Sequence, residues 1–516
     1  MNKLQEIFKA WNIAFDPDNE QAELAAKRIE ICNSCDKKVT TLGINRCSVC
    51  GCALKGKVFS PVKGACPEGK WDEVDNKNIQ IEPVMKEEVD INSIEDKSIF
   101  VQIASYRDPE LLPTLKDLFS KADRPGDLKV CIAWQHSPDD EWDNLDTYKE
   151  DDRVHIINIP HEKSKGACWA RNLIQQEYSG QAYTLQLDSH HRFIEGWDTE
   201  LIKMYEGLRK DGIEKPLLTA YIPSYNPEND PADRATEPWW MTFDRFTPEG
   251  VVFFLPATIP GWKETTEPVR SRFYSAHFAF TTGKFCEEVQ HDPEFYFHGE
   301  EITIAVRAFT HGYDLFHPHK VIAWHEYTRK GRTKHWDDSR DWNTYNKHTH
   351  KKTRQLLGID NEPADNVDFG IYGLGTKRTL HEYEQYSGIR FRDRGVQQFT
   401  LDNKFAPNPV IEDISKYEAS FLNKFRHCID IHVDSVPEND YEFWAVVFED
   451  INGKEIFRKD EDGANIKQLK DRATQNNNGW INVWREYTGQ FPHQWVVWPY
   501  STSKGWCNKL TGVLKE

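Results

Sequence analysis

The run YTLQLDSHHRF, Tyr183 to Phe193, decides how this chain folds. Tyr183, Leu185 and Leu187 alternate with Thr184 and Gln186, the two-residue period of a strand. The alternation stops at Asp188 and is followed at once by Ser189, His190 and His191, which no buried strand tolerates without partners. In an open sheet whose strands are joined by helices, ligands gather beyond the carboxyl ends of the strands. The neighbouring segments have the pattern of such a sheet. SIFVQIASY from Ser98, LKVCIAWQ from Leu128 and RVHIINIP from Arg153 are short runs rich in β-branched residues. DPELLPTLKDLFSKA lies between the first two, with Asp108 placed to cap a helix and Pro109 at its first position. GACWARNLIQQEY, a second helical stretch, separates the third from YTLQLD. Strand, helix, strand, strand, helix, strand predicts an α/β core built on a largely parallel sheet.

Outward from this core the chain divides into further pieces, as 516 residues is too long for one compact core. Residues 1–76 hold six of the eleven cysteines, between Cys32 and Cys66. Cys32-x2-Cys35, eleven residues, then Cys47-x2-Cys50-Gly51 is the spacing of a zinc ribbon, in which two tight thiolate pairs close a tetrahedron on one structural Zn2+. Cys52 and Cys66 are further candidates, since either can replace Cys47 or bind nothing. Residues 77–96 are acidic and aperiodic, the pattern of a linker. The core is expected over 97–406. Residues 407–516 carry six of the 18 Trp in short alternating runs, with an Asn452-Gly453 turn, and predict a β-rich accessory domain. Its tryptophans are either core or a platform for a glycan or acceptor.

Composition narrows the function classes. A net charge of -18 argues against sequence-independent binding to duplex DNA over the whole surface. No run of about 18 apolar residues occurs, so no membrane span is expected. The start of the chain has no signal-peptide pattern. The clustered cysteines fit reduced thiols. A cytoplasmic protein without a membrane partner is the expectation.

Asp188 and His190 stand two residues apart at a strand end, so both side chains leave toward one ion. A carboxylate with an imidazole suits Mn2+ or a similar divalent cation, with positions left for phosphate oxygens. His325, delivered by the strand-like run HKVIAW, supplies a third ligand from a separate part of the chain, while Glu300 and Glu301 open a helix. His191 points the opposite way from His190 and is expected to be structural. His311, His317 and His319 are expected on the surface or in loops. Lys165 and Gly166 stand at a helix start, where free N–H groups favour phosphate. Trp239 with Trp240, and His335 with Trp336, are expected in loops over the site or anchoring it.

The set IASYRDPELLPTL, GACWARN, LQLDSHHRFIEGWD, FHGEEITIAVRAFTHGYDLFHP, WHEYTR and YGLGTKRTLHEYEQYSGI resembles the cytoplasmic hydroxyproline-directed N-acetylglucosaminyltransferases. More distantly it is similar to the polypeptide N-acetylgalactosaminyltransferases. The resemblance runs from about Ser98 to Phe405 and implies a retaining GT-A glycosyltransferase. It makes Asp188, His190 and His325 the metal ligands, bridging the diphosphate of a UDP-sugar. It places Ser105, Tyr106 and Arg107 around uridine, with Arg107 otherwise pairing with Asp108 or Glu110. It brings Arg171 to the donor, and it turns the Glu300–Glu301 pair to the donor sugar and acceptor. Glu300 is favoured for the sugar hydroxyls and Glu301 for the helix start. The implied reaction is transfer of a sugar, GlcNAc by family expectation, to a hydroxyl on a protein or similar acceptor. Two alternatives remain: transfer to a hydroxymethylated DNA base, and a non-catalytic zinc-ribbon or glycan-binding adaptor.

Overall fold

The computed structural model describes residues 10, 19–41, 44–62, 64–71, 89–364, 367–475, 479–489 and 492–514. Residues 77–88 of the expected linker lie outside them. The chain forms two compact units, Met1–Glu88 and Val89–Glu516.

In the first unit a helix, Asn19–Asn33, leads into the Cys32–Cys35 pair. The strands Lys38–Thr41 and Ile44–Cys47 pair antiparallel, with Lys38 opposite Cys47. Gly51, at φ +74°, permits the turn in which the Cys47 N–H donates to Cys52 O at 3.1 Å. Ala25, Val58 and Trp71 make a small core. Arg28 donates to Val58 O and Ser60 O at 3.0 and 2.7 Å and lies over the Trp71 ring.

The second unit is built on an eight-stranded sheet. Its strands are β1 (Ile99–Tyr106), β2 (Leu128–His136), β3 (Val154–Pro160), β4 (Tyr183–Asp188), β5 (Pro216–Thr219), β6 (Val269–Arg270), β7 (Phe278–Thr282) and β8 (Asp314–His317), in the order β6-β8-β5-β7-β4-β1-β2-β3. β4, β1, β2 and β3 run parallel, as do β8 and β5. β7 is antiparallel to both β4 and β5, and β6 to β8. Six of the eight strands therefore run the same way, as expected of a largely parallel sheet, but β7 and β6 run against them and make it mixed. The excursion between β5 and β7 contains an antiparallel strand pair, Trp239–Phe246 with Val252–Thr258, in place of a crossover helix, so the chain re-enters reversed.

Helix α1 (Leu111–Lys121) buries Leu111, Leu115 and Leu118, spaced at i, i+4 and i+7, with Val101 and Ile103 of β1. Helix α2 (Ala167–Gln175) packs Ala170 and Ile174 against Phe100 and Cys131, on the other face of the same strands. Helix α3 (Trp197–Lys210) joins the α1 side through Trp197 and Leu201. Helix α4 (Glu300–Thr310) sets Ile302, Ala305 and Ala308 beside Leu217 and Leu315. Ile91 and Ile94, from the end of the expected linker, also pack against the α1-side core.

The segment after residue 406 belongs to this second unit. The strand Phe421–His432 pairs with Gly395–Gln397 on one side and Trp480–Gly489 on the other. Arg272 donates to Asn408 Oδ1 at 3.1 Å from Nε and 2.6 Å from Nη2, both residues being buried. Trp444 is fully buried, whereas Trp480, Trp484 and Trp506 are 46–53% exposed, so the Trp-rich end supplies both core and surface. No helix among the described residues is long and apolar enough to cross a membrane.

Candidate active site

β4 is central to the sheet, and its last residue, Asp188, stands opposite Ala104 of β1. After the turn at Ser189 and His190, the strand His191–Phe193 pairs antiparallel with Ala323–His325, placing His325 opposite His191. That pairing returns a residue 137 positions away to the carboxylate. His325 Nε2 lies 3.4 Å from Asp188 Oδ2, and His190 Nε2 lies 3.7 Å from the same oxygen. One ligand atom from each of the three residues falls within 4.8 Å of the others. Desolvation would raise the Asp188 carboxyl, but the hydrogen bond with His325 and the charge of Arg171 outweigh it and hold it well below the usual range. Burial, reinforced by His277, depresses His325 far below an ordinary imidazole, so its ring is neutral and able to ligate. A carboxylate and two imidazoles fit Mn2+ or a similar divalent ion. His191 is fully buried with Nδ1 at 3.0 Å from Asp188 O, the structural role expected of it.

Asp108 is a site residue that helix-cap reasoning missed. Its Oδ2 lies 2.7 Å from His190 Nδ1 and accepts from Ser189 Oγ at 2.7 Å and Arg332 Nη1 at 2.8 Å. A proton on Nδ1 shared with this carboxylate would turn the Nε2 lone pair toward the cleft, where a cation would take the place of the Arg332 N–H that now meets it. Desolvation opposes ionisation of Asp108, yet the charge and hydrogen bond of His190 and the Arg332 guanidinium prevail and lower its pKa. Arg332 also donates to His190 Nε2 at 3.0 Å and pairs with Glu326 at 3.5 Å. Nothing in the Lys330–Asp338 sequence marked Arg332 out, since the site residues it meets, Asp108 and His190, are more than 130 residues away in the chain.

A cleft beside these residues is lined by Ala104, Tyr106, Gly166, Arg171, Asp188, His190, Tyr296, Arg329, Arg332, Lys334, His335 and Trp336. Strand alternation sends Ala104 and Tyr106 into it and buries Ser105 behind, so the Ser105 side chain is not in the cleft. Arg107 pairs with Asp140 at 2.6 Å and Asp338 at 3.0 Å, not with Asp108 or Glu110. Tyr106 donates to the same Asp338 at 2.7 Å. Both thereby grip the short helix His335–Asp338, whose His335 and Trp336 line the cleft from a helix and not from the expected loop. Trp239 and Trp240 instead open a strand, with Trp240 buried beside Phe405. His317 is also buried, on β8, with Nδ1 at 2.7 Å from Thr219 O, and is not a surface residue. Lys165 lies near Trp169 and outside the lining. Arg329, between the Phe297 and Trp336 rings, makes no ion pair among the described residues.

The acidic pair divides. Arg171 spans Glu300 Oε1 at 3.0 Å and Asp188 Oδ1 at 2.8 Å, and the Cys168 thiol donates to Glu300 Oε2. Glu300 is thus turned inward and buried. Glu301 is the more accessible; it accepts from Tyr221 OH at 2.6 Å and the Ala276 N–H at 3.0 Å, and burial raises its carboxyl to about 7. Neither carboxylate caps the helix, whose N-cap is Gly299 at φ +107°.

In the first unit Cys32, Cys35, Cys47, Cys50 and Cys66 line one pocket, and Cys52 does not. None of the eleven cysteines is in a disulfide.

A family model described as glycosyltransferase (GlcNAc) matches residues 98–152 and 143–393, more than half of the chain. No curated protein matches the sequence. Among solved structures, GalNAc-T7 with UDP, GalNAc and Mn2+ is 14% identical over 55% of this chain and 56% of its own, with a TM-score of 0.38. S. aureus TarS 1-349 in complex with UDP-GlcNAc is 11% identical over 56% and 70%, at 0.33. The mannosyltransferase PcManGT from Pyrobaculum calidifontis, with GDP-Man and Mn2+, is 10% identical over 51% and 72%, at 0.30. The match spans little more than half of the GalNAc-T7 chain.

Proposed function

We propose, from the premise that the chain belongs to the glycosyltransferase (GlcNAc) family, that it is a retaining enzyme of GT-A type. It moves GlcNAc from UDP-GlcNAc to a hydroxyl on a protein acceptor, such as hydroxyproline, serine or threonine. The convergence of Asp188, His190 and His325 beside a cationic cleft supports this most directly. A divalent cation held by those three residues would supply Lewis-acid stabilisation to the departing diphosphate.

The protein's own groups do the remaining work. Asp108 fixes the ring and tautomer of His190. Arg329, Arg332 and Lys334 put positive charge along the cleft of an otherwise acidic protein, and the N-terminal end of α2, after Gly166, faces it with the positive end of the helix dipole. Tyr106 presents its ring to the uracil; Ser105 and Arg107 hold the strand end that positions it. Glu301 accepts from sugar hydroxyls, and Arg171 sets the spacing between Glu300 and Asp188. The acceptor oxygen bonds to the anomeric carbon on the face from which the phosphate leaves, and that phosphate oxygen takes the acceptor proton. Electrostatic positioning then supplies most of the rate, with no strong base.

The first unit holds a structural Zn2+ through Cys32, Cys35, Cys47 and Cys50, with Cys66 lining the same pocket. The clustering of six cysteines between Cys32 and Cys66 fits metal-binding thiols and a cytoplasmic location. The deciding experiment incubates the full chain with a panel of UDP-sugars, with and without Mn2+. Release of UDP from UDP-GlcNAc should need the metal and fall about 1,000-fold in Asp188→Ala. Metal-independent turnover, or an unaffected variant, removes the proposed site.

A further inference from the structure

Behind Arg171 lies a second group of ligating side chains that the transfer reaction does not use. Cys168 from α2, His291 and Glu300 are all buried, and one ligand atom from each falls within 4.8 Å of the other two. They line a small cavity with Asp292, Thr303 and Tyr372. His291 is 1% exposed, with Nε2 at 2.7 Å from Gln186 Oε1 and no hydrogen-bond partner for Nδ1. An imidazole that donates one N–H to an amide oxygen and keeps the other nitrogen as a bare lone pair is oriented as metal-bound imidazoles are. An unpartnered buried ring nitrogen otherwise costs stability without return.

We propose that Cys168, His291 and Glu300 bind a Zn2+ ion distinct from the catalytic cation and from the cysteine pocket of the first unit. A thiolate, an imidazole and a carboxylate form a donor set suited to Zn2+, with a fourth position for water or Asp292. On binding, the Cys168 thiol releases its proton to solvent and a sulfur–metal bond replaces the thiol–carboxylate hydrogen bond. The ion fixes Glu300 Oε2 from behind while Arg171 holds Oε1. It thereby sets the Arg171 arm that reaches Asp188. Its role is positional, and the site stands whether or not the sugar-transfer reading does.

Zinc bound per chain, measured on the dialysed full-length protein, tests this. Cys168→Ser and His291→Ala should each lose about one equivalent relative to wild type, while Asp188→Ala and Cys35→Ser keep that equivalent. Cobalt-substituted protein should show a thiolate-to-metal absorption component that is missing in Cys168→Ser. His291→Gln, which retains a hydrogen-bonding group, covers the case in which a variant does not fold, and should also lose the equivalent. Equal zinc content in wild type, His291→Gln and Cys168→Ser overturns the site, as does a cobalt spectrum unchanged in Cys168→Ser.

Discussion

Single side chains carry the chemistry, and two of them are open to sharp tests. Asp108 is not one of the three residues that converge on the metal position, yet its carboxylate lies 2.7 Å from His190 Nδ1, where it would hold the ring proton. Asp108→Asn should weaken Mn2+ activation about 10- to 100-fold with a smaller effect on saturated turnover, read from rate against metal concentration. Glu301 provides a pH signature. Its carboxyl rises from an ordinary 4.5 to about 7 in the folded protein, chiefly through burial. Between those values the unfolded chain gives up the proton before the folded one does, so stability falls as pH rises from about 4.5 to 7 and then levels. Glu301→Gln should flatten that part of the curve, measured as denaturation midpoints at several pH values; an equal slope in the variant removes Glu301 as its source. Asp188, His190 and His325 could be singled out from residue type and spacing. Asp108 and Arg332 could not, because their partners are distant in the chain and their own surroundings have ordinary explanations, a helix cap and a loop cation.

Elements position these side chains, and their geometry is as discriminating as the chemistry. The short pairing of His191–Phe193 with Ala323–His325 is what brings His325 to Asp188. Gly166 opens α2 at φ +107°, and a Cβ there would stand 2.8 Å from Tyr296 Cδ2. Tyr296 in turn shares a hydrogen bond of 2.9 Å with His335, on the short helix over the cleft. Gly166→Ala should add about 1–3 kcal/mol of backbone strain and push Tyr296 and His335 outward. The expected result is a KM for UDP-sugar raised about tenfold with less change in kcat. An unchanged KM separates this helix start from the donor. At this scale the period-2 runs and the helical stretches were legible, since β1 to β4 and α1 and α2 fall on the expected segments, although α1 starts at Leu111 with Glu110 as N-cap, two residues beyond the expected Asp108 cap and Pro109. The antiparallel entry of β7 was not, because strand direction depends on what lies between strands and the Trp239–Thr258 hairpin had the composition of a loop.

Across the whole molecule, the two units differ in what holds them together. Among its described residues the first has a small core of Ala25, Val58 and Trp71, the size at which a bound metal adds much of the stability. Chelation of zinc should open residues 19–71 to hydrogen exchange and leave the eight-stranded sheet protected; uniform protection after chelation ends the ribbon reading. The second unit has no loose seam at residue 406. Asn408 takes two donors from the buried Arg272 guanidinium and itself donates to Gln397 Oε1 at 2.7 Å and Thr400 Oγ1 at 2.9 Å. Asn408→Ala should cost about 2 kcal/mol in chemical denaturation, as it removes an acceptor from the buried Arg272 guanidinium, which keeps only Ser387 O and Lys404 O, and leaves Gln397 and Thr400 without their partner. Cutting at 406 should accordingly lower the stability of the sugar-transfer core itself. From its own order of residues the chain determined an α/β core, a cysteine-paired start and the Asp188-x-His190 step, because period, spacing and composition are local properties. Only the tertiary structure decided that the sheet is mixed, that Glu300 turns inward to Arg171 while Glu301 is the more accessible, and that Asp108 and Arg332 serve His190. These are contacts between segments tens to hundreds of residues apart, and packing, not neighbourhood along the chain, selects them.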